Sequence, residues 1–411
     1  MSNPVIVGRD QRLSSPELSE AVCDGLRAAG RDVIDLGTSS RGMAGYAGMK
    51  EDKDVAYLSA SHLPSEWNGI KFFYGDGISF GNEEIIAMKE KVLADGDPDS
   101  PGGGGYTEME ITEEYLEFLQ GRIPEAESAA KILVDCGNGT ASLTAPGLLS
   151  LLGFEATPLF DTLDGSFPNR ESEIDEVTLQ PTIPYMTGHD MGIAYDGDAD
   201  RVALITPGGK VLDAEEISYL ILHELLKTRE GDIVANIGCG TTIDFIADKH
   251  DRRVHRVPVG ATSMLRKLKE IGGALGLESS MHICIPYILP FDDGVAVSAY
   301  AAYALSVLRN EGGTMEGLLE EIPPRFKKKM AYNVPDAVKF GIMDDIVALC
   351  EREYGNINTI DGVRIDFEDK WVLVRQSDTS PMIRVMAEAD TEEDVEELVA
   401  RFSSLVEERL P

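Results

Sequence analysis

The chain has 411 residues, long for one hydrophobic core, so two to four domains are expected. Its 72 acidic against 37 basic residues give a net charge of −35, which repels nucleic acid and anionic membrane alike. No apolar run approaches a bilayer span and the start MSNPVIVGRD has no signal pattern, so a cytoplasmic protein is expected, with five scattered cysteines that form neither a disulfide framework nor a zinc site.

In chain order, Pro4 to Asp10 is a short β-branched run ending in a polar turn. Ser14, Ser15, Pro16 and Glu17 then start a helix with an apolar stripe of Leu18, Val22 and Leu26, stopped by Gly30, and Asp32 to Gly37 is the next strand. The pattern returns from Lys131 through a helix ending near Leu152-Gly153 to a strand ending at Phe160. It returns again from Asp232 through a helix around Ile243 to Asp248 and on to Val254–Gly260. Strand, turn, helix, strand is a βαβ unit, and copies about a hundred residues apart predict an α/β protein of three similar mixed α/β domains. The Gly-rich stretch Pro101 to Gly105 reads as a loop inside the first. From Arg325 the order changes to extended segments at Val363–Phe367, Trp371–Arg375 and Ile383–Ala387 and a closing helix from Glu392 to Glu408, predicting a C-terminal α+β domain. Divisions are expected near Glu127, Glu230 and Pro324, giving 1–127, 128–230, 231–324 and 325–411.

Four stretches carry chemistry. Tyr57 to Phe73 contains Ser61 beside His62 between apolar runs; neighbours on a strand face opposite ways, so this pair is not a hydrolase arrangement. Tyr195-Asp-Gly-Asp-Ala-Asp-Arg-Val202 is the strongest signal. Asp196, Asp198 and Asp200 cannot sit in a strand core without large desolvation cost, so they belong on a loop where a divalent cation offsets their repulsion. An EF-hand would need Gly where Arg201 stands and Glu where Pro207 stands. A hard cation such as Mg²⁺ suits three carboxylates, and Arg201 beside them implies a second anion. In Gly276-Leu-Glu-Ser-Ser-Met-His282, Glu278, Ser280 and His282 alternate as in an extended loop, suited to hydroxyls; His282 equally suits a satisfied interior histidine. In Val374 to Val385, the hydroxyls of Ser377, Thr379 and Ser380 lie between Arg375 and Arg384, as in a phosphate cradle or a solvated turn. No P-loop or G-x-G-x-x-G occurs, which argues against an NTPase or dinucleotide enzyme.

In this order the segments resemble the α-D-phosphohexomutase superfamily, which includes phosphomannomutase, phosphoglucomutase and phosphoglucosamine mutase. Ser59-Ala-Ser-His-Leu-Pro64 with Asn68-Gly-Ile-Lys71 resembles its phosphoserine loop, Asp196 to Arg201 its D-G-D-x-D-R metal loop, Leu277 to His282 its G-E-x-S-G-H sugar loop, and Arg375 to Arg384 its phosphate loop. The resemblance implies four domains around a central cleft and a cytoplasmic enzyme, monomer or homodimer, acting on a small-molecule sugar phosphate. It implies phosphoryl transfer between the 1- and 6-positions of mannose or glucose phosphate through phosphorylated Ser61 and a sugar bisphosphate, which is both intermediate and activator. Ser61, Asp196, Asp198 and Asp200 would hold one Mg²⁺; Lys71 would move a proton, His62 would support the serine loop, and Arg201 would neutralise charge. Glu278, Ser280 and His282 would bind the sugar, and Arg375, Ser377, Thr379 and Arg384 its other phosphate. Phosphoglucosamine mutase and phosphopentomutase are the near alternatives, and a metal-dependent sugar phosphatase or a non-catalytic sugar-phosphate binder the distant ones.

The departures are specific. The family's F-G-T-x-G-I-R-G segment, with its active-site arginine, is not in the chain, and Arg41 is the expected substitute. Leu63 replaces Asn, Met281 replaces Gly, Asp378 replaces Gly or Asn, Ser380 replaces Glu, and Gly260 to Ser263 lacks a basic residue.

Overall fold

The computed structural model describes residues 4–95, 103–377 and 380–410. Two compact units are distinguished, Met1–Val234 with Ala261–Leu319, and Ala235–Gly260 with Glu320–Pro411.

The first unit is built on repeated sheets of one design. One sheet runs, edge to edge, Ile70–Phe73, Val55–Leu58, Val5–Arg9, Val33–Thr38, Tyr106–Glu108; its neighbours are parallel except Ile70–Phe73, which folds back antiparallel on Val55–Leu58. A second runs Glu155–Leu159, Lys131–Asp135, Met191–Tyr195, Val202–Ile205, again parallel but for the last antiparallel pair. Val55–Leu58 and Met191–Tyr195 are buried throughout, which is why they read as continuous apolar runs rather than alternating ones. A short antiparallel hairpin, Leu275–Leu277 with Ile283–Cys284, completes the set.

The crossover helix Ser15–Ala28 begins as its Ser-Pro-Glu start requires, but its buried face is not the expected stripe. Ser15, Ser19 and Cys23 are buried, Val22 and Leu26 pack partly against Val7, Val33 and Leu58, and Leu18 is 40% exposed. Small residues occupy the face because a crossover helix lies close on its sheet. Three helices had no periodic signal: Arg41–Glu51 and Gly294–Asn310 are buried on almost every face, and Ala214–Thr228, opened by an Asp213–Glu216 capping box, nearly so.

The second unit carries a five-stranded sheet, Phe326–Asn333, Met382–Ala389, Lys370–Gln376, Val363–Asp366, Ile357–Asn358, antiparallel throughout. Helices Asp336–Glu353 and Glu392–Glu407 bury Ile346, Cys350, Leu398 and Phe402 with Val372, Val374, Ile383 and Val385 in one core. Strand Phe326–Asn333 escaped detection because FKKKMAYN is an edge strand guarded by three lysines. Within the same unit, the buried Arg364 lies over Trp371 and donates Nη1 to Ile237 O at 2.8 Å and Cys239 O at 2.7 Å, fastening helix Thr242–Lys249 and its approach to the sheet.

Three motifs share one structural address, the connection of an antiparallel hairpin at 59–69, 196–201 and 278–282, and the arginines of the fourth lie on the antiparallel strands Lys370–Gln376 and Met382–Ala389. Gly105 leads into strand Tyr106–Glu108, whereas 101 and 102 of the Gly-rich stretch lie outside the described residues. Among the described residues no helix is long and apolar enough to cross a membrane.

Candidate active site

Ser61 follows a fully buried strand and takes a left-handed backbone conformation, φ 50°. A β-carbon residue pays about 1–2 kcal/mol for that geometry, so something must impose it. The agent is Arg12, a residue not singled out in the sequence. Its guanidinium, paired with Asp10 at 3.0 Å and fully buried, donates to Ser61 O and Leu63 O at 2.7 Å, to Pro64 O at 2.6 Å and to Trp67 O at 3.1 Å. Ser172 Oγ adds a bond to Leu63 O at 3.0 Å, and Asn68 donates to the Ser14 and Ser15 hydroxyls at 2.9 Å. The loop is thus held by its carbonyls, and Leu63, with its side chain 39% exposed, contributes backbone rather than side chain.

So clamped, Ser61 donates its hydroxyl to Asp196 Oδ2 at 2.5 Å, with Asp200 Oδ1 at 3.5 Å. The acidic loop beneath it is buried, as are all three of its carboxylates. Backbone amides from three elements receive its carbonyls: Thr140 N donates to Gly197 O, Arg41 N to Asp198 O and Gly294 N to Ala199 O, each at 3.0 Å. Two of these donors open the α-helices Arg41–Glu51 and Gly294–Asn310, so the positive ends of both dipoles face the acidic loop. Arg170, also missed in the sequence, bonds Asp135 and donates to Tyr195 O at 2.8 Å, holding the residue before Asp196.

The electrostatics divide the carboxylates. Burial, then the neighbouring Asp200 and Asp198, push Asp196 well above the ordinary carboxylate range. Burial acts on Asp200 too, but Lys71 and Arg201 outweigh it and hold its pKa low. Lys71 Nζ donates to Asp198 Oδ2 at 2.8 Å and Asp200 Oδ2 at 2.7 Å; burial opposes its charge, and the two carboxylates raise its pKa nonetheless. Oxygens of Asp196, Asp198 and Asp200 lie within 4.8 Å of one another, and Asp198 Oδ1 is buried with no hydrogen-bond partner. An all-oxygen donor set with an unsatisfied inward oxygen fits a hard divalent cation.

A cavity of about 270 Å³ lies over this floor, lined among others by Ser61, His62, Lys71, Asp200, Arg201 and His282. Burial and the Arg201 charge push His62 down to about 3, so it is a neutral ring here. Arg201 donates its backbone N to Asp196 Oδ1 at 3.2 Å and its Nε to His282 Nε2 at 3.0 Å, and His282 Nδ1 is 2.7 Å from Asp292 Oδ2. Arg41, the expected substitute for the absent arginine, also reaches this cavity, but its guanidinium is bound to Asp292 and Gly77 O.

The third motif is a tight turn, not the extended loop expected from its alternation. Glu278 N bonds His282 O at 2.8 Å, Met281 N bonds Glu278 O at 3.1 Å, and Met281 stands at φ 71°. That is the left-handed region glycine favours; Met281 is kept there by packing against the core of Leu133, Ile174, Leu179 and Met186. Glu278 is buried and Ser280 half-buried, and neither lines the cavity.

In the second unit Arg375 and Arg384 face each other across neighbouring strands. Arg375 Nε bonds Asp361 at 2.9 Å, while burial, then the Arg375 charge, lower the pKa of Arg384. Lys339, 3% exposed and unmarked in the sequence, donates to Ser377 O at 2.7 Å and Ser380 O at 3.1 Å. Thr379 and Asp378 lie outside the described residues. Lys339, Arg12 and Arg170 share one property: each acts on backbone carbonyls far away in sequence, so no local pattern announces them.

Comparison with known proteins follows this geometry. Family profiles described as phosphoglucomutase/phosphomannomutase alpha/beta/alpha domains I, II and III match residues 1–97, 113–209 and 213–326, and the C-terminal domain profile matches 316–405. A "Probable phosphoglucosamine mutase" of Methanopyrus kandleri is 34% identical over 98% of this chain and 90% of its own length. A "Phosphomannomutase/phosphoglucomutase" of Pseudomonas syringae is 32% identical over 99% of this chain and 88% of its own. Among solved structures, a phosphoglucomutase/phosphomannomutase family protein from Burkholderia thailandensis superposes with a TM-score of 0.87 at 27% identity, covering 99% of this chain and 89% of that one.

Proposed function

The chain belongs to the phosphoglucomutase/phosphomannomutase family and is a phosphohexomutase, and we propose that it moves a phosphoryl group between the 1- and 6-positions of mannose or glucose phosphate through phosphorylated Ser61. The observation that carries this reading is Ser61 itself: clamped by Arg12 in a strained conformation, 5% exposed, with its oxygen set against the acidic loop at the floor of a cavity.

In the first half-reaction the bond between phosphorus and Ser61 Oγ breaks as a sugar hydroxyl oxygen bonds phosphorus, giving a sugar bisphosphate. The bisphosphate reorients, and its other phosphate returns to Ser61 Oγ by the same chemistry in reverse. Lys71 exchanges the proton with the sugar hydroxyl. Asp198 and Asp200 keep it charged in this arrangement, so it is poised as an acid, and accepting a proton requires those carboxylates to be engaged elsewhere. Arg201 faces the moving charge, and His62, as a neutral ring, backs the serine loop. One Mg²⁺ held by Asp196, Asp198, Asp200 and the Ser61 phosphate would supply charge neutralisation at the transferring group.

The remaining assignments are proposals of the same kind: Glu278 and Ser280 to sugar hydroxyls, and Arg375, Ser377, Thr379 and Arg384 to the phosphate at rest. Two guanidiniums opposed on neighbouring strands repel, and an anion between them relieves that repulsion, which supports the last assignment. We also propose domain divisions at 127, 230 and 324, and a cytoplasmic setting. Phosphoglucosamine mutase activity is the second reading, favoured by the 34% identity to the Methanopyrus protein of that name.

A panel of glucose, mannose and glucosamine phosphates, assayed with Mg²⁺ and the matching bisphosphate, tests the reading. The native protein is expected to isomerise one hexose phosphate and to carry a phosphate by intact mass, with Ser61→Ala losing both. Release of inorganic phosphate as the main product would instead make it a phosphatase, and binding without turnover would make it a binder.

A further inference from the structure

Arg201 is the only cationic side chain of the acidic motif itself; its ion-pair contacts are long, Nε lying 4.0 Å from Asp196 Oδ2 and Nη1 3.7 Å from Glu173 Oε1. Its direction comes from a chain of four buried or nearly buried residues, contributed by three distant segments: Arg41, Asp292, His282, Arg201. Resting on the phosphoryl-transfer reading above, we propose that Arg41, Asp292 and His282 form a positioning relay that fixes the Arg201 guanidinium over the cavity, with Arg41 acting through Asp292 rather than on the substrate.

The relay has a direction set by hydrogen-bond chemistry. A guanidinium has donors and no acceptor, so the contact from Arg201 Nε to His282 Nε2 at 3.0 Å requires a bare Nε2. The ring proton then sits on Nδ1 and is donated to Asp292 Oδ2 at 2.7 Å. The opposite tautomer would set two N–H donors face to face. Asp292 selects the tautomer only while it is ionised, and its other oxygen, Oδ1, lies 3.1 Å from Arg41 Nη2. Arg41 is itself immobilised: its guanidinium is held between the rings of Phe73 and Phe291, 4.5 and 4.8 Å from their centroids, and donates to Gly77 O at 3.1 Å and Asp292 O at 3.3 Å. Its side chain is 2% exposed where it meets the cavity, and these contacts of its guanidinium are to the protein. Both ring nitrogens of His282 are likewise engaged, which makes it a support for Arg201 more than a sugar ligand. The logic is that of a buried carboxylate orienting a histidine, with a guanidinium as the group being aimed.

The test compares Asp292→Asn, Arg41→Met and Arg201→Ala, singly and with each of the first two combined with the third, in the full chain with Mg²⁺ and bisphosphate. Asp292→Asn and Arg41→Met are expected to lower kcat on the order of 10–100-fold with KM little changed. Neither is expected to add a further loss in the Arg201→Ala background. Losses that multiply independently would overturn the relay. Nitrogen-15 NMR of histidine-labelled protein without substrate, with His282 assigned by its absence in His282→Gln, is expected to show a protonated Nδ1 and a bare Nε2 in the native chain. A proton on Nε2 would overturn the proposal. Arg41→Lys, which keeps a cation beside Asp292, is expected to retain the native ring signature, and serves if Arg41→Met does not fold. A chain without mutase turnover would count against the proposed function, and the relay would then stand or fall on the NMR signature.

Discussion

Asp196 bears the strain of the acidic loop. Its carboxyl is raised above its unfolded value by burial and by two like charges, so the stability linked to it is fully present at low pH and is lost as pH rises through the folded-state pKa. Asp200, depressed, has the opposite sign: what it contributes is present above the unfolded carboxylate range and lost on acidification. At neutral pH without metal, Asp196→Asn is therefore expected to raise the melting temperature by a few degrees, about 1 kcal/mol, while abolishing the rise that millimolar Mg²⁺ gives the native protein. A variant that melts lower than the native chain in EDTA would show that Asp196 is not the strained member. Arg12 is the converse case, a buried charge whose removal strips Asp10 of its counter-charge and takes a donor from four loop carbonyls. Arg12→Met is expected to cost about 3–5 kcal/mol in urea unfolding; a loss under 1 kcal/mol would mean the serine loop holds its shape unaided. Asp196, Asp198, Asp200 and Ser61 were legible in the sequence because their chemistry is local: like charges at alternate positions demand a counter-charge wherever they sit. Arg12 and Arg170 were not, because an arginine that binds distant carbonyls looks like any other arginine. Leu63 misled in the other direction, since the motif's side chain is absent while the backbone it belongs to is fully held.

At the scale of elements, the fold places chemistry by repeating one device, the antiparallel hairpin turn, and by aiming helix N-termini at the most acidic of those turns. The strands and first crossover were legible from β-branched runs, Gly and Pro. Helices Arg41–Glu51 and Gly294–Asn310, which supply the amides that meet the acidic loop, were not, because a helix buried on nearly all sides has no polar face to set a period. Their close approach is built on glycine. A β-carbon at Gly294 would stand 2.7 Å from Arg201 O and 2.9 Å from Ala199 O, contacts with backbone that no side-chain rotation relieves. Gly294→Ala, a change that by helix propensity alone should stabilise, is expected instead to destabilise by about 1–3 kcal/mol and to weaken Mg²⁺ binding by calorimetry. Unchanged Mg²⁺ affinity would mean the loop does not depend on that helix end for its shape.

At the scale of the whole molecule, the α/β class, the different design of the C-terminal domain and the family were all legible, because four motifs in fixed order constrain far more than any one of them. Composition adds a property that none of those motifs carries. A net charge of −35 on 411 residues makes compaction work against self-repulsion. The visible exposed ion pairs, such as Lys210 with Glu216 and Lys328 with Glu396, offset little of it, since exposed pairs contribute at most about 1 kcal/mol each. Added salt shortens the screening length from about 30 Å at 0.01 M to about 3 Å at 1 M, so repulsion between surface carboxylates fades first. The buried Arg41–Asp292 contact is shielded from that change, and the half-buried Lys71 contacts partly so. The melting temperature is therefore expected to climb by several degrees between 0.01 and 1 M NaCl and then level off, with chloride and acetate salts of sodium giving the same rise, as screening requires. A melting temperature that falls with salt would show that favourable surface pairs, not the acidic excess, dominate the electrostatic free energy of this fold.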